Sequence, residues 1–132
     1  MNHLGIDVGK RKCRAALKDD KGKIVNEFFF GNDANGISDL LYRVKTSTTI
    51  TQAVLESTGN MWMRIHDTLE ENGIDTILAN PYKTRIIAEA KIKSDKLDAR
   101  ILADLLRTDL IYQSYVPKKE DRETSEALLG TG

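Results

Sequence analysis

A single cysteine, Cys13, leaves this chain of 132 residues without any internal disulfide framework and fits a reducing compartment. Its alternating place in an apolar segment suits a buried thiol better than a reactive one. No stretch approaches the 18 or more apolar residues of a membrane span. The N-terminus also lacks a signal-peptide apolar region, so a soluble cytoplasmic protein is expected. Histidine is scarce: His3 stands at the very start of the first expected strand, His66 falls on a helix among acids where exposure is expected, and neither has a second histidine at ligand spacing. Charge of one sign is absent too, because 20 basic and 20 acidic residues cancel and the total points to no partner. Repeats and low-complexity tracts are missing. What remains is ordinary for one soluble globular domain: 40% hydrophobic and 30% charged residues.

The distribution of charge says more than its sum. Residues 10–23 carry Lys10, Arg11, Lys12, Arg14, Lys18, Lys21 and Lys23 against only Asp19 and Asp20. Residues 81–100 carry Lys83, Arg85, Lys91, Lys93, Lys96 and Arg100 against Glu89, Asp95 and Asp98. Such runs are more often solvated surface than a binding face. Both nevertheless flank conspicuous acids, as a phosphate backbone approaching a metal site would require.

Pattern predicts the order βββαβαβαα. His3 to Asp7, Cys13 to Leu17 and Ile24 to Phe30 read as three strands with short connections, the Asp19-Asp20-Lys21-Gly22 turn among them. Asn32 or Asp33 can cap a helix carrying Ile37, Leu40, Leu41 and Val44. Ile50 to Leu55 is a fourth strand running into Glu56, and a second helix follows with Trp62, Ile65 and Leu69 on one stripe, stopped by Asn72-Gly73. Thr76 to Ala79 is a fifth strand, Asn80-Pro81 opens a third helix, and Ser94 is the expected cap of a fourth with Leu97, Ile101, Leu102 and Leu105 inward. A meander followed by β-α units implies a five-stranded mixed sheet, order 3-2-1-4-5, with strands one, four and five parallel and helices on its faces. This is the RNase H-like, or RuvC-like, arrangement.

Within that order four carboxylates stand out: Asp7 in Gly-Ile-Asp-Val-Gly-Lys, Glu56 in Leu-Glu-Ser-Thr-Gly, and Asp95 and Asp98 in Lys-Ser-Asp-Lys-Leu-Asp-Ala-Arg. Strands one and four would be neighbours, which brings Asp7 and Glu56 together at the carboxyl edge where such sheets bind ligands. Asp95 and Asp98 are three apart and share one side of a helix. Acids gathered at one point repel unless a hard cation such as Mg²⁺ sits among them. Each has a plainer reading beside this one. Asp7 lies between Gly5 and Gly9, which allow the positive φ or close backbone approach that a crowded phosphate site often needs; its plainer reading is a strand-end aspartate in a turn. Glu56 and Asp95 are also acids placed to complement a helix dipole. Gly-x-Asp-x-Gly alone is shared with the opening of sugar kinases and actin-like ATPases, although the second glycine-rich phosphate loop of such a kinase is missing here.

Taken together, Gly5-Ile6-Asp7-Val8-Gly9-Lys10, Glu56-Ser57-Thr58-Gly59 with Trp62, Asn80-Pro81, and Lys93-Ser94-Asp95-Lys96-Leu97-Asp98-Ala99-Arg100 resemble the DEDD-motif transposases of insertion sequences, relatives of the Piv-type invertases. Tyr115-Val116-Pro117 with Arg122-Glu123 is similar to that family's exit from its first domain. The resemblance implies a RuvC-like catalytic domain over residues 1–111 and a polar segment over 112–132 leading toward a second domain that supplies a serine nucleophile, a segment expected to be disordered without its continuation. It implies Asp7, Glu56, Asp95 and Asp98 as catalytic ligands of Mg²⁺ or Mn²⁺, acting on DNA phosphodiesters. It also implies assembly as homo-oligomers near the nucleoid and, as in some members, direction by an element-encoded guide RNA. Lys10, Arg11, Lys83, Lys93, Lys96 and Arg100 are the expected nucleic-acid contacts. As an N-terminal fragment, the chain is expected to recombine little alone. A free-standing RuvC-like Holliday-junction nuclease is the alternative, with a similar Gly-Ile-Asp-Val-Gly-Lys-Arg opening and a similar length.

Overall fold

A computed structural model describes residues 1–47, 49, 51–57, 59–94 and 97–117 of the chain. Strands β1 (Asn2–Val8), β2 (Lys12–Lys18) and β3 (Ile24–Gly31) form an antiparallel meander. Helix α1 (Ala34–Lys45) leads to β4 (Thr51–Ser57), which pairs parallel with β1, and α2 (Met63–Glu71) leads to β5 (Asp75–Leu78), parallel with β4. The sheet order is β3-β2-β1-β4-β5, as the sequence pattern predicts. Helix α3 (Pro81–Ile87) continues as a π-helical turn over Ala88–Ile92, and α4 (Ala99–Arg107) closes the series.

The two faces of the sheet carry separate cores. Leu4, Ile6 and Val8 of β1 and Ala53 and Leu55 of β4 point to the side of α1 and α2, where Leu40, Ile65 and Leu69 meet them. Trp62 and Cys13 are buried in that core, as their spacing predicts. Val54 points the other way, onto Leu102, Leu105 and Leu106 of α4 and Ala88 of the π turn. Alternation along β1 and β4 therefore commits His3, Gly5, Asp7 and Glu56 to the α4 face. His66 departs from expectation: it is buried, edge-on to Trp62 at a ring distance of 5.6 Å. His3 lies inside β1, with Nε2 3.0 Å from Asp20 Oδ1.

Three caps behave as their residue types dictate. Asp33 accepts from Gly36 N at 2.7 Å, and Asn80, ahead of Pro81, accepts from Lys83 N at 3.0 Å. The third corrects the sequence reading. Ser94 does not cap α4, because α3 runs on through the π turn to Ile92 and is closed by Lys93 in the left-handed region at φ 59°. Asp98 is the cap of α4 instead, extended at ψ 179° and accepting from Ile101 N at 3.0 Å. Both residues are good caps by type; the winner is the one followed at once by the apolar run Ala99, Leu102, Ala103, Leu105 and Leu106, all buried.

Gly5 explains why that run must begin with alanines. A Cβ at Gly5 would stand 2.2 Å from Ala99 O and 2.6 Å from Ala103 N. The backbone of α4 thus rests on the backbone of β1 through a stack of small residues. Gly9 serves the β1–β2 turn in the same way, since a Cβ there would lie 2.3 Å from Lys12 O. Both glycines are used for close approach of the chain to itself, and neither lies in the positive-φ region.

Beyond α4 the chain returns to the sheet edge. Asn80 N donates to Tyr112 O at 2.7 Å, Ser114 N donates to Leu78 O at 2.7 Å, and Ala79 bridges Gln113. Val116 packs against the α1–α2 core. The segment from Tyr112 to Pro117 is therefore ordered on the β5 edge, contrary to the expectation of disorder; residues 118–132 lie outside the described residues. Because both clashes at Gly5 are with backbone, Gly5→Ala is predicted to cost about 3 kcal/mol of stability, measured as a lowered denaturant midpoint.

Candidate functional site

Parallel pairing sets Asp7 beside Glu56, Cα partner to Cα partner, on the α4 face near the carboxyl edge. Neither is beyond its strand: β1 runs on to Val8 and β4 to Ser57. Adjacent strands lie about 4.8 Å apart, so the two carboxyls are immediate neighbours. Burial pushes both pKa values up. For Asp7 the Asp98 carboxylate adds to the rise, while Arg14 and Arg85 oppose it. For Glu56 the Asp7 charge adds to it, and Arg85 opposes it.

Glu56 is the decisive member. It is 5% exposed, and its Oε1 is buried with no hydrogen-bond partner among the described residues. A buried carboxylate oxygen without a donor must be compensated by a proton or by a cation. Asp98 joins the pair from above: its Oδ1 caps α4, and its charge still reaches Asp7. The set of three arises from two strand ends and one helix start, held together by the Gly5–α4 contact. Among the described residues no group of three or more His, Cys, Asp or Glu side chains lies close enough together to hold a metal ion. Asp95, the fourth expected acid, lies outside the described residues, as does Lys96. The expectation that Asp95 and Asp98 share a helix side does not hold for Asp98, which precedes the helix as its cap.

The basic residues divide. Lys10, Arg11, Lys93 and Arg100 are exposed. Lys83 is exposed as well, but its Nζ sits 3.0 Å from the Tyr112 hydroxyl and 4.2 Å from the ring centre. Arg100 is bound to Glu27, through Nε at 3.0 Å to each carboxylate oxygen. Arg14 also bonds Glu27. These guanidiniums, Arg100 foremost, hold Glu27 down to about 2.

Sequence reasoning did not single out Arg14 or Arg85. Arg14 was accessible: a short turn at Gly9 sets β1 against β2 so that Asp7 faces Arg14. Arg85 was not, because only the placement of α3 brings it near the acids.

A family model described as a transposase, of the DEDD type of IS110 elements, matches residues 4–128. The chain belongs to that family. No curated protein matches it. Among solved structures it is similar to Thermus thermophilus RuvC in complex with a Holliday junction substrate, at a TM-score of 0.60 and 10% identity, covering 86% of this chain and 99% of that one. A second Thermus thermophilus RuvC structure gives a TM-score of 0.51 at 13% identity, over 89% and 85% of the two chains. A ROK hexokinase from Thermus thermophilus gives 0.50 at 19% identity, with 72% of this chain but only 39% of the kinase covered. Likeness at these identities establishes the RuvC-like, RNase H-like fold of this transposase domain. No helix among its described residues is long and apolar enough to cross a membrane.

The raised and lowered acids act in opposite pH windows. For Asp7 and Glu56, with ordinary values of 3.8 and 4.5, the folded protein holds protons more tightly than the unfolded chain. Their contribution is fully present below those values and is lost as pH rises through the higher folded values. Glu27 contributes above its ordinary 4.5 and is lost as pH falls toward about 2. Asp7→Asn and Glu56→Gln are each predicted to stabilise the metal-free protein near neutral pH by about 1 kcal/mol and to flatten its decline above pH 4.5, in denaturant melts across pH. Glu27→Gln is predicted to do the reverse, removing stability at neutral pH and shallowing the acid limb.

Proposed function

We propose that this chain is the catalytic domain of an insertion-sequence transposase that cuts and rejoins DNA strands with divalent metal. Residues 1–111 are read as its RuvC-like body and 112–132 as the segment leading out of it. The observation that carries the reading is the buried, unpartnered Glu56 Oε1 beside Asp7, whose charge disfavours a second carboxylate there. Membership in a transposase family supports the reaction class, and the Holliday junction bound by Thermus thermophilus RuvC supports DNA as the substrate.

Asp7 and Glu56 would hold Mg²⁺ or Mn²⁺, with Asp98 joining them from the start of α4 and Asp95 assigned to the same set by the family motif alone. The donor set is all carboxylate, which suits hard divalent cations and not thiol- or imidazole-seeking ones. Bound metal would activate a nucleophilic oxygen and neutralise charge on the phosphodiester in an in-line displacement. A cation there would offset the burial and the like charge that hold the pKa values of Asp7 and Glu56 up. Arg14 and Arg85 supply fixed positive charge close to the acids, where phosphate oxygens would arrive. Lys10, Arg11, Lys93 and Lys96 would contact the strand further out, alongside Arg100 and Lys83 once these exchange their present partners. An element-encoded RNA and further copies of the chain are the other partners this reading carries.

Metal is the first test. At a hundredfold its dissociation constant, Mg²⁺ or Mn²⁺ should add about 2.7 kcal/mol and raise the melting temperature; Asp7→Asn and Glu56→Gln should abolish the rise. No shift in the unmutated protein would sink the metal site, and a shift surviving both substitutions would place it elsewhere. Cleavage assays on linear and four-way DNA follow. Metal-dependent nicking lost with Asp7→Asn is expected, whereas selective cutting of four-way junctions by the chain alone would favour a junction nuclease.

A further inference from the structure

The row of side chains that contains the acids does not stop at Asp7. Register pairing sets Glu56 of β4, Asp7 of β1, Arg14 of β2 and Phe29 of β3 side by side on the α4 face. The row ends in an exposed aromatic ring: Phe29 is 57% exposed. Its neighbour Phe30, on the opposite face, is buried, so the exposure belongs to this face and not to the end of the strand. Helix α4 begins at Ala99 and runs away from this edge, with Arg100 reaching only as far as Glu27, so Phe29 lies beyond its cover.

Cations surround the ring. Lys12 Nζ is 4.3 Å from its centroid, and Arg14 Cζ is 5.8 Å away. Asp7, Gly9, Lys12, Cys13, Arg14 and Phe29 line one open cavity of about 310 Å³. A cavity with an acid at one end, an aromatic at the other and positive charge between is matched by a nucleotide: metal-bridged phosphate, sugar, and a flat base. Two strand spacings separate Phe29 from Asp7, about 10 Å, the reach from a phosphate to a base a nucleotide or two along one strand. A stacked base pair offers no free face to such a ring, whereas an unpaired base does.

We propose that Phe29 is a stacking platform for an unpaired DNA base next to the phosphate held at Asp7 and Glu56, with Lys12 contacting the adjoining phosphate. This rests on the DNA reading above. Lys12, now seated on the ring, would move from the ring face to the strand as the base replaces it. The platform would select strands that are open at the reacting phosphate, so that chemistry is confined to melted or branched DNA.

The test is fluorescence anisotropy of the 132-residue chain with a labelled single-stranded DNA, the same sequence as a blunt duplex, and the same sequence as RNA. Phe29→Ala is expected to weaken single-stranded DNA binding about tenfold while leaving the duplex unaffected. Phe29→Trp should restore affinity, and its indole emission should be quenched by the oligonucleotide, a contact signal that a purely structural role would not give. That variant keeps the test valid should Phe29→Ala melt early. Lys12→Gln should lower the salt slope by about one counterion, and Phe29→Ala should not. On a strand with abasic positions, the unmutated protein and Phe29→Ala should bind alike. Unchanged single-strand binding by Phe29→Ala, with the unmutated protein still binding DNA, would refute the platform and leave the DNA reading standing. Equal losses on single strand and duplex would refute the preference for an unpaired base, and a loss confined to RNA would refute the DNA assignment. Failure of the unmutated protein to bind any DNA would remove both readings together.

Discussion

Everything at the site hangs on the missing side chain of Gly5. With the backbone of α4 resting on that of β1, Ala99 and Ala103 occupy the space that any Cβ at position 5 would claim. That contact fixes the height and start of α4, and hence the point where Asp98 meets Asp7. Van der Waals contact at this density does not deform gradually. A methyl group inserted there would lift the helix start from the sheet and separate the acids it brings together. Packing and electrostatics are therefore one problem in this domain: a small-residue seam on one turn of helix determines how strongly three carboxylates feel one another.

The arginines show how that repulsion is kept unresolved. Arg14 is the cross-strand partner of Asp7, yet its hydrogen bond goes to Glu27 on the next strand, as does the fork of Arg100. Glu27 is consequently held far down, while Asp7 and Glu56 are held up. An acid on the same face thus takes the guanidiniums that would otherwise neutralise the pair. Fully paired acids would stabilise the fold and have little affinity left for a cation; acids left underpaired retain it at some loss of stability.

Much of this was legible in the chain. Three short strands, two β-α units and their caps prescribe the order 3-2-1-4-5, and Asp7 next to Glu56 follows once strands one and four are neighbours. The start of α4 was not. Ser94 and Asp98 are equivalent as caps, and local pattern cannot see that α3 continues through a π turn or that Gly5 awaits two alanines. His66 likewise sits among polar neighbours in sequence, and only the packing of α2 on the sheet turns it inward against Trp62. The return of Tyr112 to Val116 onto β5 depends on an unpaired strand edge, which a segment without periodicity does not announce.

Cross-strand register is what makes the remaining residues intelligible. Read along the chain, Arg14 is one of seven cations between residues 10 and 23, and Phe29 is one of three consecutive phenylalanines. Read across the sheet, they extend a single line that begins at Glu56 and passes through Asp7. Strand spacing then converts sequence-distant residues into a ruler with steps of about 4.8 Å. Along it the environment changes from buried acid to half-buried guanidinium to exposed aromatic ring, the order in which a nucleic-acid strand presents phosphate and base. A sheet edge can display such a gradient because alternate residues share a face, so one turn at Gly9 and one at Gly22 are enough to align it. The same economy would let so small a domain hold both the proposed chemistry and the first contacts to the proposed substrate on one side of five strands.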